Sequence, residues 1–155
     1  MFYLIIVLII MISDILIKNK ISSMAPEVFP IEKAGGKIHI ERCFNYGLAG
    51  SRLKDNPHKV KMISTLASAF LAVCAVFSFF SKRQSFIKKT GFALMLGGAL
   101  SNLSDRYTRG FVVDYINFAN PVNKKKSKLV YNISDFCIMI GCFLVIMGKL
   151  FRRHK

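Results

Sequence analysis

The sequence predicts an all-α membrane protein: four transmembrane helices, with a small extramembrane β-sheet between the first two. Three observations carry this reading. Hydrophobic residues make up 53% of the 155 residues, Phe alone contributes 14, and the mean hydropathy is +0.41, more apolar than a soluble domain of this length can cover with polar surface. The apolar residues gather in runs that can cross a bilayer, which takes about 20 residues of helix. The basic residues, 23 Lys and Arg against eight Asp and Glu, flank those runs and do not line a polar face. That placement suits anionic membrane lipid and argues against nucleic acid as the partner of the +15 charge.

The first run, "MFYLIIVLIIMIS" at residues 1–13, is too short to span alone. Continuing through "DILIKNKI" gives a helix over roughly 2–21 and draws Asp14 and Lys18 into the outer part of the membrane. Residues 2–13 carry no Lys or Arg, so an uncleaved helix is expected in place of a signal peptide. Residues 22–58 are polar and rich in turn formers; "GGKIHIERCF" alternates after a Gly-Gly turn and predicts a short β-hairpin. The region ends in "NYGLAGS". The second span covers roughly 60–80, the third 86–104 and the fourth 131–150, all within one domain of residues 1–155. Four spans put both termini on one side. The short 82–89 loop, with Lys82, Arg83, Lys88 and Lys89, shares that side with the basic C-terminus, which the positive-inside rule makes cytoplasmic. Residues 18–59 and 106–130 then face outward, and the basic cluster "NKKKSK" at 123–128 runs against the rule.

No G-x-S-x-G elbow and no H-E-x-x-H motif occurs, and the three histidines are scattered. Of the four cysteines, Cys74, Cys137 and Cys142 lie in apolar runs, and none of the four, Cys43 included, forms a C-x-x-C pair; they read as small hydrophobes. No metal and no cofactor are expected. The acids sort by place. Glu27, Glu32, Glu41 and Asp55 belong to the polar loop, whereas Asp14, Asp105, Asp114 and Asp135 lie in or beside spans. Ionisable groups at such depth mark a functional site by default. Gly98, Asn102, Asp105 and Arg106 recur at helical spacing on the third span, and Asn132 and Asp135 on the fourth. Gly97 and Gly98 allow close helix approach.

"FVVDYINF" alternates like an extended segment, placing Asp114 just outside the third helix, at the membrane face where Asp135 begins the fourth. Two carboxylates sharing a site hold one proton between them. One member can then deprotonate a water and the other protonate a leaving amine, which is aspartic peptidase chemistry. Plainer roles compete. Asp105–Arg106 reads as a structural ion pair at a helix end, and Asp14–Lys18 as a stabilising i,i+4 pair. Asn132 reads as a helix cap, and Asp135 as a charge favoured by the helix dipole. Two other functions also use such acids: a proton-coupled carrier, which would place them near mid-span, and a non-catalytic scaffold that binds lipidated peptides.

The blocks "DILIK", "NYGLAG", "GGALSNLSDRYTRGFVVDYINF" and "YNISDF", in this order and spacing, cover nearly the whole chain. On them the chain resembles the lipoprotein signal peptidases, also called signal peptidase II. The resemblance implies a cofactor-free membrane aspartic peptidase of the bacterial inner membrane. Such enzymes cleave prolipoproteins just before a diacylglyceryl-modified cysteine. It implies a catalytic pair at Asp114 and Asp135, with Asp14, Lys18, Asn45, Gly47, Asn102, Asp105, Arg106 and Asn132 shaping the site and holding substrate. It also implies an extramembrane β-cradle between helices 1 and 2. Partners are then lipidated prolipoproteins and membrane lipid, and one chain, a monomer, contains the whole site. The sequence departs from the family pattern at Ser101, where Gly is common, and at Ser134 and Phe136, where Ala and Ser are usual. None of these changes removes a carboxylate; they bear on substrate preference.

Overall fold

The computed structural model describes residues 1–48, 50, 52–119 and 126–150. Helix α1, Phe2–Ser23, leads through a 3₁₀ turn at Pro26–Val28 into β1, Ile31–Lys33, and β2, Ile38–Asn45. Helices α2, Pro57–Phe80, and α3, Phe86–Thr108, follow. Strands β3, Val112–Ala119, and β4, Lys126–Tyr131, then lead into α4, Ile133–Leu150.

Local chemistry sets the ends. Asn56 caps α2 by accepting from the Lys59 backbone N–H at 3.2 Å, with Pro57 in the first turn, where its missing N–H costs nothing. Ser85 caps α3 through the Lys88 N–H at 3.3 Å, which makes the connection from α2 very short. The turn between β1 and β2 places Ala34, Gly35 and Gly36 at φ of 53°, 64° and 79°; the two glycines adopt this region without steric cost.

The expected hairpin is present, with Ile31 opposite Ile40 and Lys33 opposite Ile38. The expectation of a β-cradle drawn from the segment between helices 1 and 2 is corrected. The antiparallel sheet has the order β1-β2-β3-β4, so half of its strands come after α3. The extended reading of "FVVDYINF" holds as β3. The fourth helix begins at Ile133, two residues later than expected, because residues 126–131 continue as β4. Residues 123–125 of the basic cluster and the basic end of the chain at 151–155 lie outside the described residues, as do Ala49 and Ser51.

Helices α1, α2 and α4 are long and apolar enough to cross a membrane. They present apolar side chains outward: Leu8, Ile9 and Leu16 on α1, Leu66 and Phe70 on α2, and Phe143 and Ile146 on α4 are all more than half exposed. Helix α3 is less apolar and packs against all three. A helix screened by its neighbours can carry polar residues that a lipid-facing helix cannot. The apolar core of Val7, Ala75, Ala93 and Leu96 is small. The largest fully buried side chains are mostly polar: Lys18, Asn117, Asn132, Asp14 and Asp105 are among them. All four cysteines are unpaired thiols.

Close contact along α3 relies on missing side chains. A Cβ on Gly97 would lie 2.9 Å from the Val7 carbonyl oxygen on α1, and one on Gly98 would lie 2.5 Å from the Ser134 carbonyl oxygen on α4. Further along, Gly91 and Gly141 put backbone against backbone, and a Cβ on Gly141 would come 2.5 Å from the Gly91 oxygen. Gly141→Leu should therefore cost about 2 kcal/mol or more through overpacking. The thermal unfolding midpoint in detergent checks this, and Phe143→Leu, at a position 59% exposed, should leave the midpoint nearly unchanged.

Candidate active site

Lys18, with no exposed surface, is the hub of the polar core. Its ammonium lies 2.8 Å from Asp14 Oδ2 and 3.3 Å from Asp105 Oδ2. It also donates to Asn102 Oδ1 at 2.7 Å and to Ser101 Oγ at 3.4 Å. Asp14 is held on every side. Its Oδ2 accepts from Ser101 at 2.7 Å and Ser134 at 2.5 Å, and its Oδ1 from the Tyr115 hydroxyl at 3.0 Å. Burial and the neighbouring Asp14 charge push the Tyr115 hydroxyl far above the usual phenol range, so it stays a donor. Asp105 Oδ1 pairs with Arg109 at 3.0 Å, and its Oδ2 also accepts from the Val113 N–H at 3.1 Å, tying the end of α3 to β3. Two acids face two cations, so the cluster is neutral.

Lys18 sets the orientation of the next layer. A lysine only donates, so Asn102 must turn its oxygen to Lys18 and its amide hydrogens away. They reach Asp135 Oδ1 at 3.0 Å. Asn132 caps α4: its oxygen accepts the Asp135 N–H at 2.9 Å, while its own N–H returns to Asp135 Oδ2 at 3.1 Å. This is the reciprocal arrangement of a capping box. With its oxygen so committed, Asn132 points its amide hydrogens at Asp114 Oδ1, 2.7 Å away, with a longer contact of 3.3 Å to Asn102 Oδ1. Asn45 repeats the logic on β2, accepting from the Gly47 N–H at 3.0 Å and donating to Asp114 Oδ2 at 3.1 Å.

Each of the four oxygens of Asp114 and Asp135 thus receives a neutral N–H donor, and among the described residues neither carboxylate forms an ion pair. Both line one cavity of about 360 Å³. Asn45, Asn102, Arg106 and Tyr131 are among its other polar lining residues, and Val112, Ile138 and Met139 are among its apolar ones. Arg106 donates through Nη2 to the Gly47 carbonyl at 3.0 Å and through Nη1 to the Asn102 carbonyl at 3.4 Å. Burial, then the nearby Asp135 charge, pushes the Asp114 carboxyl up to about 6, against the pull of the Asn45 and Asn132 donors.

Every candidate residue falls in this assembly, in two layers. Asp114, Asp135, Asn45, Asn102 and Arg106 line the cavity; Gly47 and the fully buried Asn132 hold Arg106 and Asp114, and Asp14, Lys18 and Asp105 brace the site from behind. The expected Asp105–Arg106 pair is corrected. Adjacent residues on a helix point about 100° apart, so Asp105 turns inward to Lys18 and Arg109 while Arg106 turns to Gly47. The Asp14–Lys18 pair is present, but fully buried and joined to a third charge. Ser101 and Ser134, expected to bear on substrate preference, instead both donate to Asp14 Oδ2, away from the cavity. Phe136 packs near Tyr131 and Phe118, with ring centroids 5.7 and 6.1 Å away. Sequence reasoning missed Tyr115 and Arg109. Arg109 sits four residues after Asp105, a spacing that signals an ion pair; nothing in the sequence points Tyr115 at Asp14.

The family profile described as Signal peptidase (SPase) II matches residues 6–151. The chain is 36% identical over 110 residues to the lipoprotein signal peptidase of Mesorhizobium japonicum, covering 70% of this chain and 62% of that protein. It is 31% identical to that of Pasteurella multocida, covering 72% of this chain and 66% of that protein. The match to the Clostridioides difficile lipoprotein signal peptidase is weaker, 26% identity, but spans 100% of this chain and 99% of the relative. A solved bacterial membrane enzyme at 24% identity superposes with a TM-score of 0.79 over 96% of this chain and 87% of that one, a likeness of fold.

Two stability predictions arise from the site. Lys18→Met leaves Asp14 and Asp105 without their shared cation and should cost about 3–5 kcal/mol, seen as a large drop in thermal midpoint; adding Asp14→Asn should recover part of it. The Asp114 carboxyl sits at about 6, above its ordinary 3.8, so the fold binds this proton more tightly than the unfolded chain does. Its contribution of ~3 kcal/mol is complete below the unfolded value and is lost as pH rises through the folded one. Wild type should thus gain midpoint over Asp114→Asn between pH 8 and pH 4; a difference that stays flat contradicts the raised carboxyl.

Proposed function

Since the chain belongs to the signal peptidase II family, we propose that it is an aspartic endopeptidase of the bacterial inner membrane, removing signal peptides from prolipoproteins before the diacylglyceryl-modified cysteine. The observation that carries this reading is the pair Asp114 and Asp135. They are two carboxylates that form no ion pair among the described residues, each oxygen held by a neutral donor, in a cavity with apolar walls. A paired cation would pin both as anions, whereas amide donors leave room for the shared proton that acid–base chemistry needs.

In the proposed reaction Asp114 carries the shared proton, in keeping with its raised carboxyl, and Asp135 is the base. Asp135 takes a proton from a water held between the two while the water oxygen attacks the scissile carbonyl carbon. Asp114 gives its proton to the carbonyl oxygen. As the tetrahedral gem-diol collapses, one of its hydroxyls returns a proton to Asp114 while C=O re-forms, the C–N bond breaks, and the proton on Asp135 passes to the leaving amine of the cysteine. Asn45, Asn102 and Asn132 act as positioning residues, because their amide hydrogens point at the carboxylates. Arg106 lines the cavity and its Nε has no hydrogen-bond partner among the described residues, so it is the group placed to receive a substrate carbonyl. The acyl chains lie toward Ile138 and Met139 and the surrounding lipid.

In the membrane, α3 spans as the fourth, screened helix. Both termini are cytoplasmic, by the basic 82–89 loop, and the carboxylate pair lies near the outer face. The chain acts as a monomer, since every group used above comes from one copy. Asp114→Asn and Asp135→Asn should each lower cleavage of a diacylglyceryl-modified precursor by ~10³-fold or more while the protein remains folded. The unlipidated precursor should not be cut. Substantial cleavage by either variant would exclude the aspartic mechanism; binding without turnover by the unaltered chain would favour a scaffold.

A further inference from the structure

At the end of the bundle opposite the carboxylate pair, a groove of about 520 Å³ opens between α2, α3 and α4. Helices α2 and α4 each pack chiefly on α3 and not extensively on each other, so α3 forms the floor. Phe92 and Val145 give it apolar walls, and Lys88 and Lys149 line it with positive charge. Neither lysine forms an ion pair among the described residues. The Lys88 stem packs over Gly148, where a Cβ would collide with it. Among the described residues, two polar atoms of the lining have no hydrogen-bond partner: Oγ of Ser78, a residue only 3% exposed, and Oε1 of Gln84. Polar groups so placed call for a ligand or water partner.

Among the described residues, side-chain charge at this end has one sign. The eight acids of the sequence are at positions 14, 27, 32, 41, 55, 105, 114 and 135, so none lies in the segments that frame the groove. Lys82, Arg83 and Lys89 add to the positive field. A basic pocket between spans, apolar along its walls and polar at one end, has the chemistry of an anionic lipid site. A soluble anion would leave the walls unfilled.

We propose that the groove binds an anionic phospholipid with a hydroxyl-bearing headgroup. Lys88 and Lys149 hold the phosphate. The Ser78 hydroxyl donates to a lipid oxygen, and the Gln84 carbonyl accepts from a headgroup hydroxyl. An acyl chain runs along Phe92 and Val145. The site is separate from the carboxylate pair, and its test does not depend on cleavage.

Native mass spectrometry of the full chain in neutral detergent reads the binding. Phosphatidylglycerol should bind at least about tenfold tighter than phosphatidylcholine of the same acyl chains, as two lysine–phosphate contacts imply. Lys88→Gln with Lys149→Gln should bring phosphatidylglycerol to the phosphatidylcholine level. Lys82→Gln with Arg83→Gln, an equal loss of charge outside the groove, should keep the preference. Should the Lys88/Lys149 variant fail to fold, Val145→Trp, which fills the groove, should lose the same binding. Equal affinity for the two lipids, equal loss in both charge variants, or displacement of phosphatidylglycerol by glycerol 3-phosphate would each overturn the proposal.

Discussion

A lysine with no exposed surface, set among helices that face lipid, has to have its charge answered from within the protein. Lys18 is answered by Asp14 on its own helix and by Asp105 on α3. That requirement fixes more than one ion pair. It sets the rotation of α1 against α3, and the missing side chain of Gly97 lets the two backbones meet. It also turns the oxygen of Asn102 inward, which leaves only amide hydrogens to face Asp135. The orientation of a group at the cavity thus follows from a charge buried one layer behind it.

The same division of labour explains why the two sets of acids differ. Asp14 and Asp105 meet cations and hydroxyl or backbone donors. Among the described residues, the hydrogen bonds to the Asp114 and Asp135 carboxylates come from neutral N–H groups. Burial beside Asp135 then raises the Asp114 carboxyl to about 6. Keeping two such groups together costs stability, and the neighbouring neutral cluster, the α4 capping box and the β3 ladder hold them in place against that cost. A strand and a helix start each contribute one carboxylate, so the sheet and the bundle must dock before the pair exists.

Much of this was legible in the sequence where the physics is local. Apolar runs marked all four helices, three of them long and apolar enough to cross a membrane, alternation marked β2 and β3, and acids beside spans marked the site. Asn132 as a cap was readable from its place before Ile133, but its second bond, to Asp114, was not. Long-range pairing was less visible. Strand β4 hides in a stretch dominated by lysines, and nothing local says that β3 pairs with β2 across α2 and α3. The partner of Asp105 depends on which way a helix faces at its last turn, and there the simple neighbour reading chose Arg106 over Lys18 and Arg109. Ser101 and Ser134 look like independent departures from a family pattern; only the fold brings both to one oxygen of Asp14.

The most direct test of a coupled carboxylate pair is the titration of Asp114 itself, followed by carbon NMR of labelled aspartate in the folded protein. The account predicts a midpoint near 6, falling toward the ordinary carboxylate range when Asp135 is replaced by Asn. A midpoint near 4 in the unaltered protein, or one that does not move when Asp135 loses its charge, would contradict it.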